Sequence, residues 1–241
     1  MAVTAQAIPM RSDNYAWLLT ESITGKVAMV DPADGPAAIA AVEAAGGRLD
    51  MILLTHHHDD HIGGVPALLS RYQPVVVGNG MDAERLPKLD IATHEGDLVD
   101  FGAAKIRVID TPAHTSGHIS YYIADGGILL PGDTMFSLGC GRLFEGTAED
   151  MFRALRKFDD LPGETLICAG HEYTQSNARF ACNVDPGNEA LRARSGQVDA
   201  LRAAGRPTLP VSLASERECN PFLRAPDAQV LGNLRAAKDN F

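Results

Sequence analysis

The chain of 241 residues is 45% hydrophobic and 22% charged, which suits one large soluble domain, with or without an appendage, that buries a core without staples. Its formal net charge of −10 argues against nucleic acid as a partner, since phosphate binding needs a cationic face, and makes any local cluster of Arg or Lys more telling. No run approaches the roughly 20 apolar residues needed to cross a bilayer, and the start, Met1 to Gln6, lacks the basic and apolar regions of a signal peptide.

Strand-like pieces open the chain: Val3 to Ile8, Tyr15 to Leu19 and Lys26 to Val30. Asp31 to Pro36 breaks the pattern, and Ala37 to Ala45 reads as an Ala-rich helix closed by Gly46-Gly47. Met51-Ile52-Leu53-Leu54 is then a short buried strand. It runs directly into Thr55-His56-His57-His58-Asp59-Asp60-His61, followed by Gly63-Gly64 and a helical pattern over Val65 to Leu69. Further strands are expected at Pro74 to Gly78 and Lys105 to Ile109, with a hairpin pair at Ile119 to Ile123 and Ile128 to Leu130. A helix follows from an N-cap at Thr147 through Phe158, then a strand at Thr165 to Ala169. Beyond about residue 173, Ala, Arg, Glu and Gln dominate, and Thr174 to Ala204 reads as two helices interrupted at Asp185-Pro186-Gly187-Asn188. A connector holding Pro207 and Pro210, then Asn220-Pro221-Phe222, leads to a last helix ending at Phe241. The pattern is an α/β body over residues 1–173 and a smaller helical part over 174–241.

In an extended segment alternate side chains share a face, so His56, His58 and Asp60 are expected to point one way and His57 and Asp59 the other, with His61 returned by the turn. Two imidazoles and a carboxylate on one side suit a borderline cation such as zinc or iron. Of the eight histidines, four lie in this loop; His114 and His118 follow Thr111-Pro112, and His171 follows Ala169-Gly170. Each of these comes just past an expected strand, as does Asp133 in Pro131-Gly132-Asp133-Thr134, where a sheet presents functional loops; only His94 stands apart. A single histidine so placed is more often a core residue. The case rests on the set, each member beside a Gly or Pro that turns the chain. Cys140, Cys168, Cys182 and Cys219 have no CxxC spacing and read as free thiols of a cytoplasmic protein.

The order His-x-His-x-Asp-His, then His, Asp and His, resembles the metallo-β-lactamase superfamily and, within it, the glyoxalase II (hydroxyacylglutathione hydrolase) family. Thr115-Ser116-Gly117-His118, Cys140-Gly141-Arg142-Leu143-Phe144-Glu145-Gly146-Thr147, Gly170-His171-Glu172-Tyr173-Thr174, Asp13-Asn14-Tyr15 and Asn220-Pro221-Phe222 are also similar to that family's stretches, so the likeness spans essentially the whole chain. It implies an αββα sandwich with a smaller helical C-terminal domain. It further implies two divalent ions per chain, zinc with iron or manganese as alternatives: His56, His58 and His114 on one, Asp60, His61 and His171 on the other, Asp133 bridging. The implied reaction is attack of a metal-bound hydroxide on the thioester of S-D-lactoylglutathione, with Asp60 and Asp133 in catalytic roles, giving glutathione and D-lactate in the second step of methylglyoxal detoxification.

The resemblance places substrate contacts at Arg142, Phe144, Tyr173, Arg235 and Lys238, with Phe144 where relatives carry Tyr, so that any hydrogen bond from that hydroxyl is absent. The implied partner is a small glutathione thioester, with no membrane, acting on a monomer. His57, Asp59 and His118 are expected in supporting roles, Asp59 as an acceptor for a ligating histidine, and Cys140 as a small packed thiol. Two alternatives stand beside this reading. One is a persulfide dioxygenase of the same superfamily, using a single iron. The other is a non-catalytic metal-binding module, although structural zinc sites are usually closed, four-coordinate and rich in Cys.

Overall fold

In the computed structural model, which describes residues 3–241, the first six strands form one mixed sheet in chain order. They are β1 (Val3–Met10), β2 (Asn14–Glu21), β3 (Val27–Val30), β4 (Met51–Leu53), β5 (Val75–Asn79) and β6 (Ile91–Thr93). The pairs β1–β2 and β2–β3 are antiparallel; from β3 onward the strands are parallel. Parallel strands need crossovers, supplied by α1 (Gly35–Ala44) and by α2 (Asp59–Ile62) with α3 (Val65–Arg71). The apolar runs of β2 and β4 are continuous because both faces are covered. Tyr15, Trp17, Leu19, Met51 and Leu53 face the second sheet, while Ala16, Leu18, Ile52 and Leu54 pack on Ala38, Val42, Val65 and Leu68 of α1 and α3.

The second sheet contains β7 (Leu98–Phe101), β8 (Ala104–Asp110), β9 (Ile119–Ile123) and β10 (Ile128–Leu130) as an antiparallel meander. After β10 the chain makes a small hairpin, β11 (Met135–Phe136) and β12 (Gly139–Cys140), and then α4 (Ala148–Arg156). Thr147 and Asp150 cap α4 reciprocally, as the sequence indicated for Thr147. Its Met151 and Leu155, with Phe158, join the core on the outer side of this sheet. The strand expected at Thr165 to Ala169 is shorter, β13 (Leu166–Ile167), and runs parallel to β10.

The C-terminal helices are α5 (Thr174–Val184), α6 (Glu189–Ala203), α7 (Leu213–Cys219) and α8 (Ala228–Asp239). The sequence reading missed α7 and the strand before it, β14 (Val211–Ser212), which pairs with β13 at the sheet edge. Two residues carry no periodicity, and the neighbouring prolines hid the rest. The helical C-terminal domain thus returns one strand to the body.

Glu21 ties the two sheets together at the end remote from the histidines. Its carboxylate accepts from Ile23 N (2.6 Å), Thr24 N (2.8 Å) and Thr24 Oγ1 (2.5 Å), and from Ala103 N (3.4 Å) in the β7–β8 turn. Gly102, at φ +65, admits this contact, because an added Cβ would lie 2.2 Å from Glu21 Oε2. The hydrogen bonds, led by that from Thr24, hold the pKa of Glu21 down to about 2 from an ordinary 4.5. A carboxylate lowered on folding stabilises above its unfolded pKa and loses that contribution as pH falls through the folded one. Glu21→Gln should therefore lower Tm at pH 7, with the gap from wild type closing between about pH 4.5 and pH 2. Thermal unfolding across that window checks it; a constant gap would contradict the assignment.

Candidate metal centre

The loop after β4 departs from the extended course expected of it. His58 is still extended (φ −60, ψ 141), but Asp59 starts α2, so a turn of helix and not strand alternation carries Asp60 and His61. His56 and His58 share a side, and His57 faces away toward Asp82. Two groups result. His58 Nδ1 lies 3.1 Å from both His56 Nε2 and His114 Nε2. His61 Nε2 lies 3.2 Å from His171 Nε2, with Asp60 Oδ2 3.4 Å from the latter. Asp133 stands between the groups: Oδ1 is 3.3 Å from His61, and Oδ2 is 3.5 Å from His114 and 3.4 Å from His171. Its buried Oδ1 has no hydrogen-bond partner among the described residues.

The outer ring nitrogens fix which inner nitrogens carry lone pairs. His114 Nδ1 donates to the carbonyl of Arg142 (2.9 Å), His61 Nδ1 to Asp31 (3.0 Å) and His171 Nδ1 to Asp13 (2.9 Å). Thr55 Oγ1 spends its proton on Asp31 (2.6 Å) and so accepts from His56 Nδ1 (3.0 Å). These proton positions follow from the partners. When the rings are neutral, Nε2 of His56, His61, His114 and His171 is left without a proton, and these atoms converge around Asp133. Such a donor set, with an orphaned carboxylate oxygen at its centre, fits divalent cations.

Electrostatics divides the cluster. Burial, then neighbouring imidazoles, lower the pKa of His56 and His58, and burial outweighs Asp133 at His114. Burial pulls the same way on His61 and His171, but Asp133 overcomes it, raising His61 well above its ordinary value and pushing His171 up to about 10. Burial would raise Asp133, yet the facing His61 and His171 hold it well below the carboxylate range. The charge that these carboxylates draw onto the rings as protons is the charge a bound cation supplies in their place.

Asp31 and Asp13, which orient His61 and His171, escaped the sequence reading of supporting residues. Asp59, expected in that role, is corrected: its side chain is 85% exposed and pairs with Arg11 at 2.7 Å. Helix α2 begins there and turns Asp59 outward. His118 is buried, accepting from Asp133 N (3.1 Å), with Thr111 and Thr134 at its other nitrogen. Cys140 belongs to neither histidine group; it packs in the core, and burial pushes its thiol up to about 12.

A cavity of about 750 Å³ opens over the cluster, and its walls include Arg142, Phe144, Tyr173, Arg235 and Lys238. Tyr173 stacks on His171 (4.6 Å, 9°), and the exposed Phe144 ring lies 5.1 Å from His114. Arg235 and Lys238 reach the far wall from α8, as their spacing suggested, but are differently placed. Arg235 is buried, donating to Cys140 O (2.7 Å) and Asp239 (3.0 Å). Lys238 touches Ser176 and lies over the rings of Phe180 and Phe241.

Residues 11–171 match the family model described as Metallo-beta-lactamase superfamily, and residues 172–241 that described as Hydroxyacylglutathione hydrolase C-terminus. The chain is 55% identical over 238 residues to the hydroxyacylglutathione hydrolase of Acidiphilium cryptum, covering 99% of this chain and 97% of that one. It is 45% identical over 255 residues to the hydroxyacylglutathione hydrolase of Ruegeria pomeroyi, with full coverage of both. In fold it is similar to ETHE1 from Myxococcus xanthus (TM-score 0.74, 24% identity, 98% and 90% of the chains) and to BLEG-1 B3 metallo-beta-lactamase (TM-score 0.71, 21% identity, 92% and 100%).

Removing a partner that orients a ligating histidine typically costs 10–100-fold in metal affinity. Asp31 takes three bonds, from Thr55 N on Oδ1 and from Thr55 Oγ1 and His61 Nδ1 on Oδ2, and Asp31→Asn turns one of these accepting oxygens into an N–H donor. Zinc competition against a chromophoric chelator should show a weakening of about this size. Undiminished affinity would refute the orienting role.

Proposed function

Because the chain belongs to the hydroxyacylglutathione hydrolase family, on the metallo-β-lactamase fold with its helical C-terminal domain, we propose that it hydrolyses S-2-hydroxyacylglutathione, with S-D-lactoylglutathione giving glutathione and D-lactate. The observation that carries this reading is the pair of facing donor groups that share Asp133. His56, His58 and His114 would hold one divalent ion and Asp60, His61 and His171 the other, with Asp133 reaching both. Imidazole and carboxylate donors without a thiolate suit zinc, and iron or manganese as well. Such ions, when bound, supply Lewis acidity for a thioester carbonyl and a water of lowered pKa near neutral pH.

The chain's own residues prepare the rest. Asn14 holds the Asp60 carboxylate at 3.1 Å, and that side chain remains 35% exposed toward the cavity, available to orient a water proton. Phe144 and Tyr173 offer aromatic surface beside the reacting centre, and Arg142, Arg235 and Lys238 make a cationic wall for glutathione carboxylates in an otherwise acidic protein. The free buried thiols of Cys140, Cys168 and Cys219 support a cytoplasmic setting. The second donor group, Asp60, His61 and His171, favours the hydrolase over a single-iron dioxygenase.

Hydrolysis of S-D-lactoylglutathione, assayed beside oxygen uptake with glutathione persulfide on one metal-analysed preparation, tests the reading. Thioester cleavage without oxygen uptake is expected, and the reverse would overturn it. In the same preparation Asp133→Ala should lose both metals, whereas His171→Ala should lose mainly one. Full occupancy in Asp133→Ala would remove the bridge.

Lys238 gives the cleaner test of the cationic wall, since Arg235 also supports the packing. A contact remote from the scissile bond is the same in ground and transition states, so its loss raises KM and leaves kcat nearly unchanged. A charge-assisted hydrogen bond is worth about 1.5–3 kcal/mol, so Lys238→Ala should raise KM roughly tenfold or more. An unchanged KM in the folded variant would reject the contact.

A further inference from the structure

Four of the five histidines in the cluster are fixed through their outer nitrogen, by Thr55, Arg142 O, Asp31 and Asp13. His58 is the exception. It turns Nδ1 inward, and its Nε2 has no hydrogen-bond partner among the described residues. Packing must then set the angle of this half-buried ring. The rings around it are His56 (4.7 Å) and His57 (5.1 Å) of its own loop, His114 (4.8 Å) and Phe144 (5.8 Å).

One side chain outside the site joins the loops that carry these rings. Arg85 follows β5 and its guanidinium donates in four directions: to buried Asp82, to His57 Nε2 (3.4 Å), to Ser116 Oγ (2.9 Å) and to Glu145 Oε1 (2.6 Å). His57 Nδ1 donates to Asp82 in turn (3.0 Å), and Ser116 N and Oγ donate to Glu145 Oε2 (2.7 and 2.8 Å). His57 adjoins His58, Ser116 lies two residues past His114, and Glu145 adjoins Phe144. The contacts are close at the backbone too: a Cβ on Gly117 would lie 2.5 Å from Asp82, and one on Gly146 2.5 Å from Ala113 Cα.

We infer that Arg85 is a positioning residue for the first half of the metal centre. It holds the 56–58, 114–118 and 141–147 loops in register, so that His58, His114 and Phe144 keep their mutual angles. A planar fork with five donors can meet four acceptors at once, which a point charge cannot. Without it, Asp82 and Glu145 lose their shared guanidinium, and Glu145 is left with its bonds from Ser116. The His61–His171 half has its own carboxylate anchors and none of these contacts.

The inference rests on the two-site reading above, and single-site backgrounds separate the two. His171→Ala retains the first site and His58→Ala the second. Zinc alone, titrated against a chelating dye, should bind each parent at one equivalent. Adding Arg85→Met should weaken zinc roughly tenfold in the His171→Ala background, the lower end for lost orienting contacts, and leave the His58→Ala background unchanged. No loss in the first background, or equal loss in both, overturns the role of Arg85. Parents that do not bind one equivalent each overturn the two-site reading, and the inference with it.

Discussion

The interaction on which the rest depends is the meeting of bare imidazole nitrogens at the end of the sandwich. The hydrogen bonds on the outer nitrogens of His56, His61, His114 and His171 force their inner lone pairs toward Asp133. Neutral rings of His61 and His171 would set two lone pairs about 3 Å apart, and burial removes the water that would screen them. The arrangement is favourable around positive charge, either a bound cation or the protons that Asp133 draws onto His61 and His171. The outer partners therefore matter as much as the ligands, because each removes a tautomer that would relieve the repulsion.

Two sheets can hold such a cluster because their strand ends come together. The loop after β4, at one end of the first sheet, meets the loops after β8, β10 and β13 of the second. Backbone hydrogen bonds close the seam: Ile119 N to Thr55 O (2.9 Å), Tyr15 N to Gly170 O (2.8 Å) and Gly170 N to Gly132 O (3.1 Å). Closeness demands glycine at two of these places. A Cβ on Gly132 would lie 2.5 Å from Thr55 Oγ1, and one on Gly170 2.7 Å from Asp133 Oδ1. The continuous apolar runs of β2 and β4, with both faces covered, anchor the platform for this approach.

Most of this centre was legible in the sequence because metal chemistry uses few residue types and the fold puts them at strand ends. His114, Asp133 and His171 each follow an apolar run and a Gly or Pro. Asp31 and Asp13 were not legible: each is one acid among 31 Asp and Glu, and their partners lie 30 and 158 residues away. Asp31 carries one local mark, a left-handed backbone at φ +50 just after β3, yet Asp adopts that region readily in any turn. Asp59 misled for a related reason. Alternation assumes an extended chain, and a single helical turn is too short to announce itself. The links of Arg85 to Ser116 and Glu145 are equally unreadable, since they join residues brought together only by the tertiary fold.

The helical domain is bound into the metal centre through the β11–β12 hairpin. Ser137 and Leu138 donate to the buried Glu216 carboxylate of α7 (both 2.7 Å), and Asn220 donates to Phe136 O and Gly139 O (3.2 and 3.0 Å). From α5, Asn177 reaches Ser137 O (3.1 Å), and from α8, Arg235 reaches Cys140 O (2.7 Å). The hairpin tip needs this grip, because Leu138 sits at φ +59, a region that a leucine seldom occupies. Backbone strain of this kind persists only where surrounding contacts over-determine it. Asp133 enters the hairpin and Arg142 leaves it, so the carboxylate between the two donor groups and a cation of the cavity wall are set by one short piece of chain. Helices that composition sets apart as a smaller C-terminal part are in this geometry part of what holds the hairpin after Asp133 in place.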